Sequence, residues 1–191
     1  MNPFADSATD HAQTAEPFVL VLGGANMDIS GSTPQPLVLS DSNPGRIRCA
    51  PGGVARNVAE NLARLGNATR LLTAVGDDLN GRSLLDATQK AGVDVQGCWV
   101  LADQSTSTYL SLHGPDGDMA VAVNDMGILA CITPERLEPF ADAVRQAIAI
   151  VVDCNVTAQT LAWLFANRGL TPVFVDAVSA FKCQHIRPWL A

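Results

Sequence analysis

The sequence has no surplus of positive charge. Its 12 Lys and Arg are outnumbered by 19 Asp and Glu, for a net charge of −7. Such a chain has no basic surface to neutralise phosphates, which excludes a nucleic-acid partner. No apolar run approaches the roughly 20 residues that span a bilayer, so no membrane partner is expected. The first 17 residues lack the basic n-region and apolar h-region of a secretory signal and read as a flexible tail. The five cysteines, Cys49, Cys98, Cys131, Cys154 and Cys183, are scattered with no Cys-x-x-Cys pair. That spacing supports neither a disulfide framework nor a zinc site, and reduced thiols in a cytoplasmic protein fit it better. His11, His113 and His185 share no spacing with one another or with a cysteine, so no metal cluster is implied. There is no Gly-x-x-x-x-Gly-Lys-Ser/Thr phosphate loop and no internal repeat.

What is present is enough for one compact core, with 48% hydrophobic residues in a chain of 191. Short apolar runs alternate with helical periodicity. Phe18–Leu22, Thr69–Val75, Ile148–Val152 and Pro172–Val175 read as strands; Val54–Leu65, Leu79–Ala91 and Ala158–Asn167 read as helices. The alternation predicts an α/β fold with a mostly parallel sheet covered by helices on both faces. Two segments interrupt it. Residues 34–50 are rich in Pro, Ser and Asn, with short alternating stretches around Leu37–Leu39 and Arg46–Arg48. Residues 105–124 alternate on both sides of Gly114-Pro115-Asp116-Gly117, the pattern of an antiparallel hairpin. Together they predict a small sheet inserted into the α/β body, or else surface hairpins with no shared role.

The segment Pro51-Gly52-Gly53-Val54-Ala55-Arg56-Asn57 follows the first insert and opens a helix. Two glycines before a helix start let a ligand approach backbone, and bare N–H groups lie at the positive end of the helix dipole. Asn57 sits about one turn in, where its amide can point back to the same ligand. A glycine pair before a helix is also ordinary turn chemistry. Upstream, the first strand ends in Gly23-Gly24-Ala25-Asn26-Met27-Asp28, which puts an acidic residue past a strand's carboxyl end, where open α/β sheets bind ligands. A helix cap or turn role would equally account for Asp28.

This ordered set, with Gly76-Asp77-Asp78-x-x-Gly81 after the next strand, resembles the ribokinase-like (PfkB) family of carbohydrate and nucleoside kinases. Further motifs are similar to those of the branch that phosphorylates pseudouridine. They are Asp41-Ser42-Asn43-Pro44-Gly45, Ser107–Leu112, Asn124-Asp125-Met126, Asp153-Cys154-Asn155 and Val175-Asp176-x-Val178-Ser179-Ala180-x-Lys182. The resemblance runs from about Phe18 to the end of the chain. It implies a ribokinase-like fold over residues 18–191, whose inserts cover the sugar site as a lid and form a homodimer contact. It also implies ATP and Mg2+ as cofactors, with a monovalent cation possible, and a small-molecule nucleoside as substrate.

The resemblance assigns the acceptor site to Asn26, Asp28, Gly52, Gly53 and Asn57, with Asp28 gripping two ribose hydroxyls. Asp153 and Asn155 would orient the acceptor region, and Asn124 and Met126 would close the pocket. Pseudouridine carries an extra ring N–H through its C-glycosidic bond, so a selective kinase presents an acceptor there. Ser40, Asp41, Ser42, Asn43 and Thr108 are candidates, and each could equally be a solvated turn residue. Lys182 could meet phosphate or be an exposed helix lysine. Ala177 stands where the resembled motif has proline.

The catalytic half is not found. The family's base is an Asp in a Gly-Ala-Gly-Asp element that also forms the anion hole, and no such element occurs. Gly76-Asp77-Asp78 occupies a different, structural place. The expectation is therefore a truncated or fragmentary kinase, inactive alone, whose substrate-binding portion is present. Two alternatives stand beside it: a ribokinase-like kinase of another nucleoside or sugar, and an inactive nucleoside-binding or dimerisation module.

Overall fold

A computed structural model describes residues 16–190, so most of the expected tail lies outside the described residues. The chain begins with β1 (Val19–Leu22), β2 (Asn26–Ser32), β3 (Arg46–Gly52) and α1 (Val54–Arg64). Next come β4 (Thr69–Leu72), β5 (Ala74–Gly76), α2 (Leu79–Lys90), β6 (Trp99–Leu101) and the hairpin β7 (Thr108–His113) and β8 (Met119–Asp125). A 3-10 turn over Gly127–Cys131 leads into the short helices α3 (Pro134–Leu137) and α4 (Ala141–Gln146). The chain then forms β9 (Ala149–Asp153), α5 (Ala158–Asn167), β10 (Val173–Asp176) and a second 3-10 segment, Lys182–Trp189. No helix among the described residues is long and apolar enough to cross a membrane.

The central sheet has the order β10-β9-β1-β4, with every neighbour parallel. β1 shows why its sequence is apolar throughout. Val19 and Val21 face α1, packing with Ala55, Ala59 and Leu71. Leu20 and Leu22 face the opposite layer, with Leu137, Val144, Leu161 and Leu164. A strand covered on both sides reads as a continuous hydrophobic run.

Two strand boundaries depart from the sequence reading. Thr69–Val75 is not one strand: the chain leaves the central sheet at the buried Thr73 and continues as β5, which pairs with β6. Asn26-Met27-Asp28, which the sequence places past the end of the first strand, begins a further strand, β2. It is the centre of a second sheet, ordered β3-β2-β7-β8, parallel to β7 and antiparallel to β3. The two inserted segments thus contribute to one sheet, with β2 between them. Pro34–Pro44 contains no strand, so the alternation around Leu37–Leu39 does not form one.

Gly76-Asp77-Asp78 joins these parts. Asp78 caps α2, its Oδ1 accepting from the Gly81 N–H at 2.7 Å and the Thr106 hydroxyl at 2.7 Å, while Oδ2 accepts from the Thr106 N–H at 2.8 Å. Burial alone would raise this carboxyl. The Thr106 and Gly81 donors outweigh that and hold it below the ordinary carboxylate range. Asp78→Ala removes a cap and the link to the hairpin, each contributing roughly 1 kcal/mol. A loss of about 2 kcal/mol is expected in urea unfolding. The folded pKa is lowered, so this contribution is present above the ordinary value of 3.8 and lost as pH falls through the folded value. The wild-type and variant curves should converge in strong acid.

Candidate acceptor site

The site is built where the central sheet meets the second one. Gly23 and Gly24 carry the chain out of β1. The buried Asp153, at the end of β9, reaches across to hold Gly24. Asp153 Oδ2 accepts from the N–H groups of Gly24 and Ala55, both at 2.9 Å, and Oδ1 accepts from the Asn155 N–H at 2.9 Å. One carboxylate therefore ties the turn after β1, the first turn of α1 and the end of β9. A side chain at Gly23 would come within 2.5 Å of Asp153 Cγ, which explains glycine there. Burial pushes the Asp153 carboxyl above the ordinary range, opposed by the N–H groups it accepts from.

This arrangement changes the reading of the glycine motif. The Ala55 N–H is taken by Asp153 and the Arg56 N–H by the Gly24 carbonyl, at 3.2 Å. Two donors expected to face a ligand are therefore used by the protein itself. Gly53 adopts a φ of 98°, and a Cβ there would meet the Gly24 carbonyl at 2.5 Å, so it lets α1 approach the turn. Gly52 makes room for an acid: a Cβ on it would lie 2.1 Å from Asp28 Oδ2.

Above this floor lies a cavity of about 340 Å³, within the range of small-molecule sites. Asn26 and Asp28, two apart on β2, present side chains to it, and Asn26 Nδ2 donates to Asp28 Oδ1 at 2.6 Å. Gly53 and Asn57 line it from the start of α1, Asn124 and Met126 from the end of β8, and Lys182 from the segment after β10. Lys182 is not a free surface lysine, because its Nζ donates to Asn155 Oδ1 at 2.6 Å. Asn155 lines the cavity as well.

The other candidates fall elsewhere. Asp153 works beneath the cavity rather than in its wall. Thr108 pairs with Met27, so strand alternation turns it from the Asp28 side, and its hydroxyl donates to the Thr106 carbonyl at 3.1 Å. Asp41 and Asn43 line a separate hollow beside Leu112. There Asn43 ties its own loop, exchanging hydrogen bonds with Val38 at 2.8 and 2.9 Å, and Asp41 accepts from the Ser42 N–H at 2.7 Å. Short polar side chains closing local turns account for both.

The sequence motifs contain Tyr109 and Val178 without assigning either to the site, and both line the cavity. Tyr109 pairs with Asp28 on one side and Asn124 on the other, so the β2–β7 register would have found it. Val178 has a φ of 62°, strained for a β-branched residue, and its N–H donates to Asp176 Oδ1 at 2.8 Å. Burial pushes the Cys98 thiol up to about 12, which makes it inert.

Among the described residues no group of three or more His, Cys, Asp or Glu side chains gathers to hold a metal ion. The sequence contains no Gly-Ala-Gly-Asp element.

Comparison with known proteins gives a consistent picture. The model of the pfkB family of carbohydrate kinases matches residues 16–191. The chain is 47% identical to the pseudouridine kinase of Escherichia coli K12 over 170 residues, covering 89% of this chain and 54% of that protein. It is 45% identical to the uncharacterized sugar kinase YeiI of the same organism over 178 residues, covering 93% and 49%. Among solved structures, a carbohydrate kinase from Agrobacterium tumefaciens superposes with a TM-score of 0.82 at 30% identity, over 89% of this chain and 56% of that one. The chain thus spans about half the length of the curated relatives it matches.

The Asp153 staple is directly testable. Asp153→Ala leaves three N–H donors without their acceptor, a cost of roughly 1–3 kcal/mol each before water replaces any of them. The expected loss in urea unfolding is about 3 kcal/mol.

Proposed function

The chain belongs to the pfkB family of carbohydrate kinases, and from that premise we propose that its cavity holds the acceptor nucleoside of a phosphoryl transfer, with pseudouridine as the substrate. The observation that carries this reading is that Asp28 of β2 and Asn57 of the glycine motif line the same cavity of about 340 Å³. A carboxylate accepts from two neighbouring hydroxyls, and an amide supplies a donor beside it, which suits a ribose. Asn124, Met126 and Tyr109 cover the sugar from the second sheet, and Lys182 stands on the phosphate side. The likeness to a pseudouridine kinase, 47% over most of the chain, favours this nucleoside. The comparable identity to an uncharacterized sugar kinase supports another sugar or nucleoside as the second reading. ATP is the phosphoryl donor that this reading calls for.

We also propose that the chain self-associates through the second sheet. On the face opposite Asp28, Ile29 lies between Cys49 and Leu110, and Leu110 beside Val123; the next row runs Ile47, Gly31, Leu112, Val121. These eight positions carry no charge, so an apolar sheet face stands largely open, with Ile47 77% and Val123 64% exposed. A second copy carrying the same uncharged face meets no repulsion there, although the chain has a net charge of −7. Leu110→Asp with Val123→Asp should convert a dimer to a monomer in sedimentation velocity. A wild-type chain that sediments as a monomer at tens of micromolar would contradict the proposal.

Asp28 gives the test of the substrate site. Calorimetric titration of pseudouridine, uridine and ribose into the chain should show saturable binding, strongest for pseudouridine. Asp28→Ala removes two charge-assisted hydrogen bonds, and with partial replacement by water about 3 kcal/mol should go, on the order of 100-fold in affinity. Its melting temperature should change little. Unchanged affinity would remove Asp28 from the site.

A further inference from the structure

We propose that Arg56 is a positioning residue that fixes the polarity of Asn57, so that Asn57 meets its ligand as a hydrogen-bond donor. This rests on the nucleoside reading above. Arg56 is only 6% exposed and stands behind the cavity wall. Its guanidinium is held on four sides. Nε donates to the Thr88 hydroxyl at 3.1 Å, Nη1 to the Pro51 carbonyl at 3.4 Å and to Asn57 Oδ1 at 3.1 Å, and Nη2 pairs with Glu60.

Adjacent residues on a helix do not ordinarily face each other. The contact exists because Thr88 on α2 and Pro51 on β3 draw the Arg56 side chain sideways, along the flank of α1. A guanidinium has five N–H donors and no acceptor. An amide beside it must turn its oxygen inward, which leaves the Asn57 NH2 on the exposed side, where Asn57 lines the cavity. The opposite rotamer would set two donors against each other and lose the bond.

The consequence is a division of labour. Asp28 is an acceptor-only carboxylate, one oxygen of which already takes the Asn26 NH2. Asn57, locked by Arg56, is donor-only. Together they select a group that donates to one and accepts from the other, as a sugar hydroxyl does. A ligand that presents only donors or only acceptors is refused.

A double-mutant cycle read by calorimetric titration of pseudouridine tests this. Arg56→Met keeps the length and removes the donors, so Asn57 can rotate, and affinity should fall about 10-fold, the loss of one well-placed hydrogen bond. Asn57→Ala should lose at least as much, and adding Arg56→Met to it should cost little more. A full further 10-fold loss on the Asn57→Ala background would show that Arg56 acts only as a tie between α1 and α2, and would overturn the proposal. An unweakened Arg56→Met chain would overturn it too. A wild-type chain that binds no nucleoside would overturn the substrate reading itself, a distinct result. Should Arg56→Met fail to fold, the side-chain amide resonances of Asn57 in the unaltered chain decide. They are expected to shift on saturation with pseudouridine, and an unmoved pair would contradict the assignment.

Discussion

The structure depends on one buried carboxylate. Asp153 gathers N–H groups from Gly24, Ala55 and Asn155, three points widely separated along the chain. Without it, the turn after β1, the start of α1 and the loop after β9 would each carry unsatisfied donors away from water, at a cost no small domain absorbs easily. With it, they converge at the carboxyl ends of parallel strands, where open α/β sheets form their crevices. The glycines follow from the same constraint. Gly23 lies against Asp153, Gly53 against the Gly24–Ala25 backbone, and Gly52 under Asp28.

The second consequence is polarity. Two cations sit beside two asparagines, Arg56 with Asn57 and Lys182 with Asn155, each donating to the amide oxygen. Side chains that can only donate set the direction of groups that can do either. The cavity is thereby lined by oriented amides and one carboxylate. That is preorganisation achieved by the support of the wall rather than by the wall.

Much of this was legible in the sequence. The 3.6-residue spacing gave α1, α2 and α5 to within a residue or two, and the apolar runs gave the parallel strands. The motifs holding Asn26, Asp28, Gly53, Asn57, Asn124, Met126 and Lys182 come together around one cavity. What stayed hidden was long-range. β2 carries Asn, Asp, Gly and two Ser among its seven residues and follows a glycine pair. It is a strand only because β3 and β7 flank it, and without that register Tyr109 could not be placed beside Asp28. The sequence places Asp153 at the acceptor region, but nothing local shows that it acts through backbone groups 98 and 129 residues away. Asp41, Asn43 and Thr108 lie away from that cavity, engaged in local hydrogen bonds.

The central claim is that the glycine motif and β2 together hold a ribose. A crystal structure of the chain soaked with pseudouridine tests it most directly. The account predicts two ribose hydroxyls within about 3 Å of the Asp28 carboxylate, with the Asn57 NH2 donating to one of them and Asp153 unmoved beneath. A nucleoside seated elsewhere, or one bound in this cavity with its sugar turned away from Asp28, would contradict it.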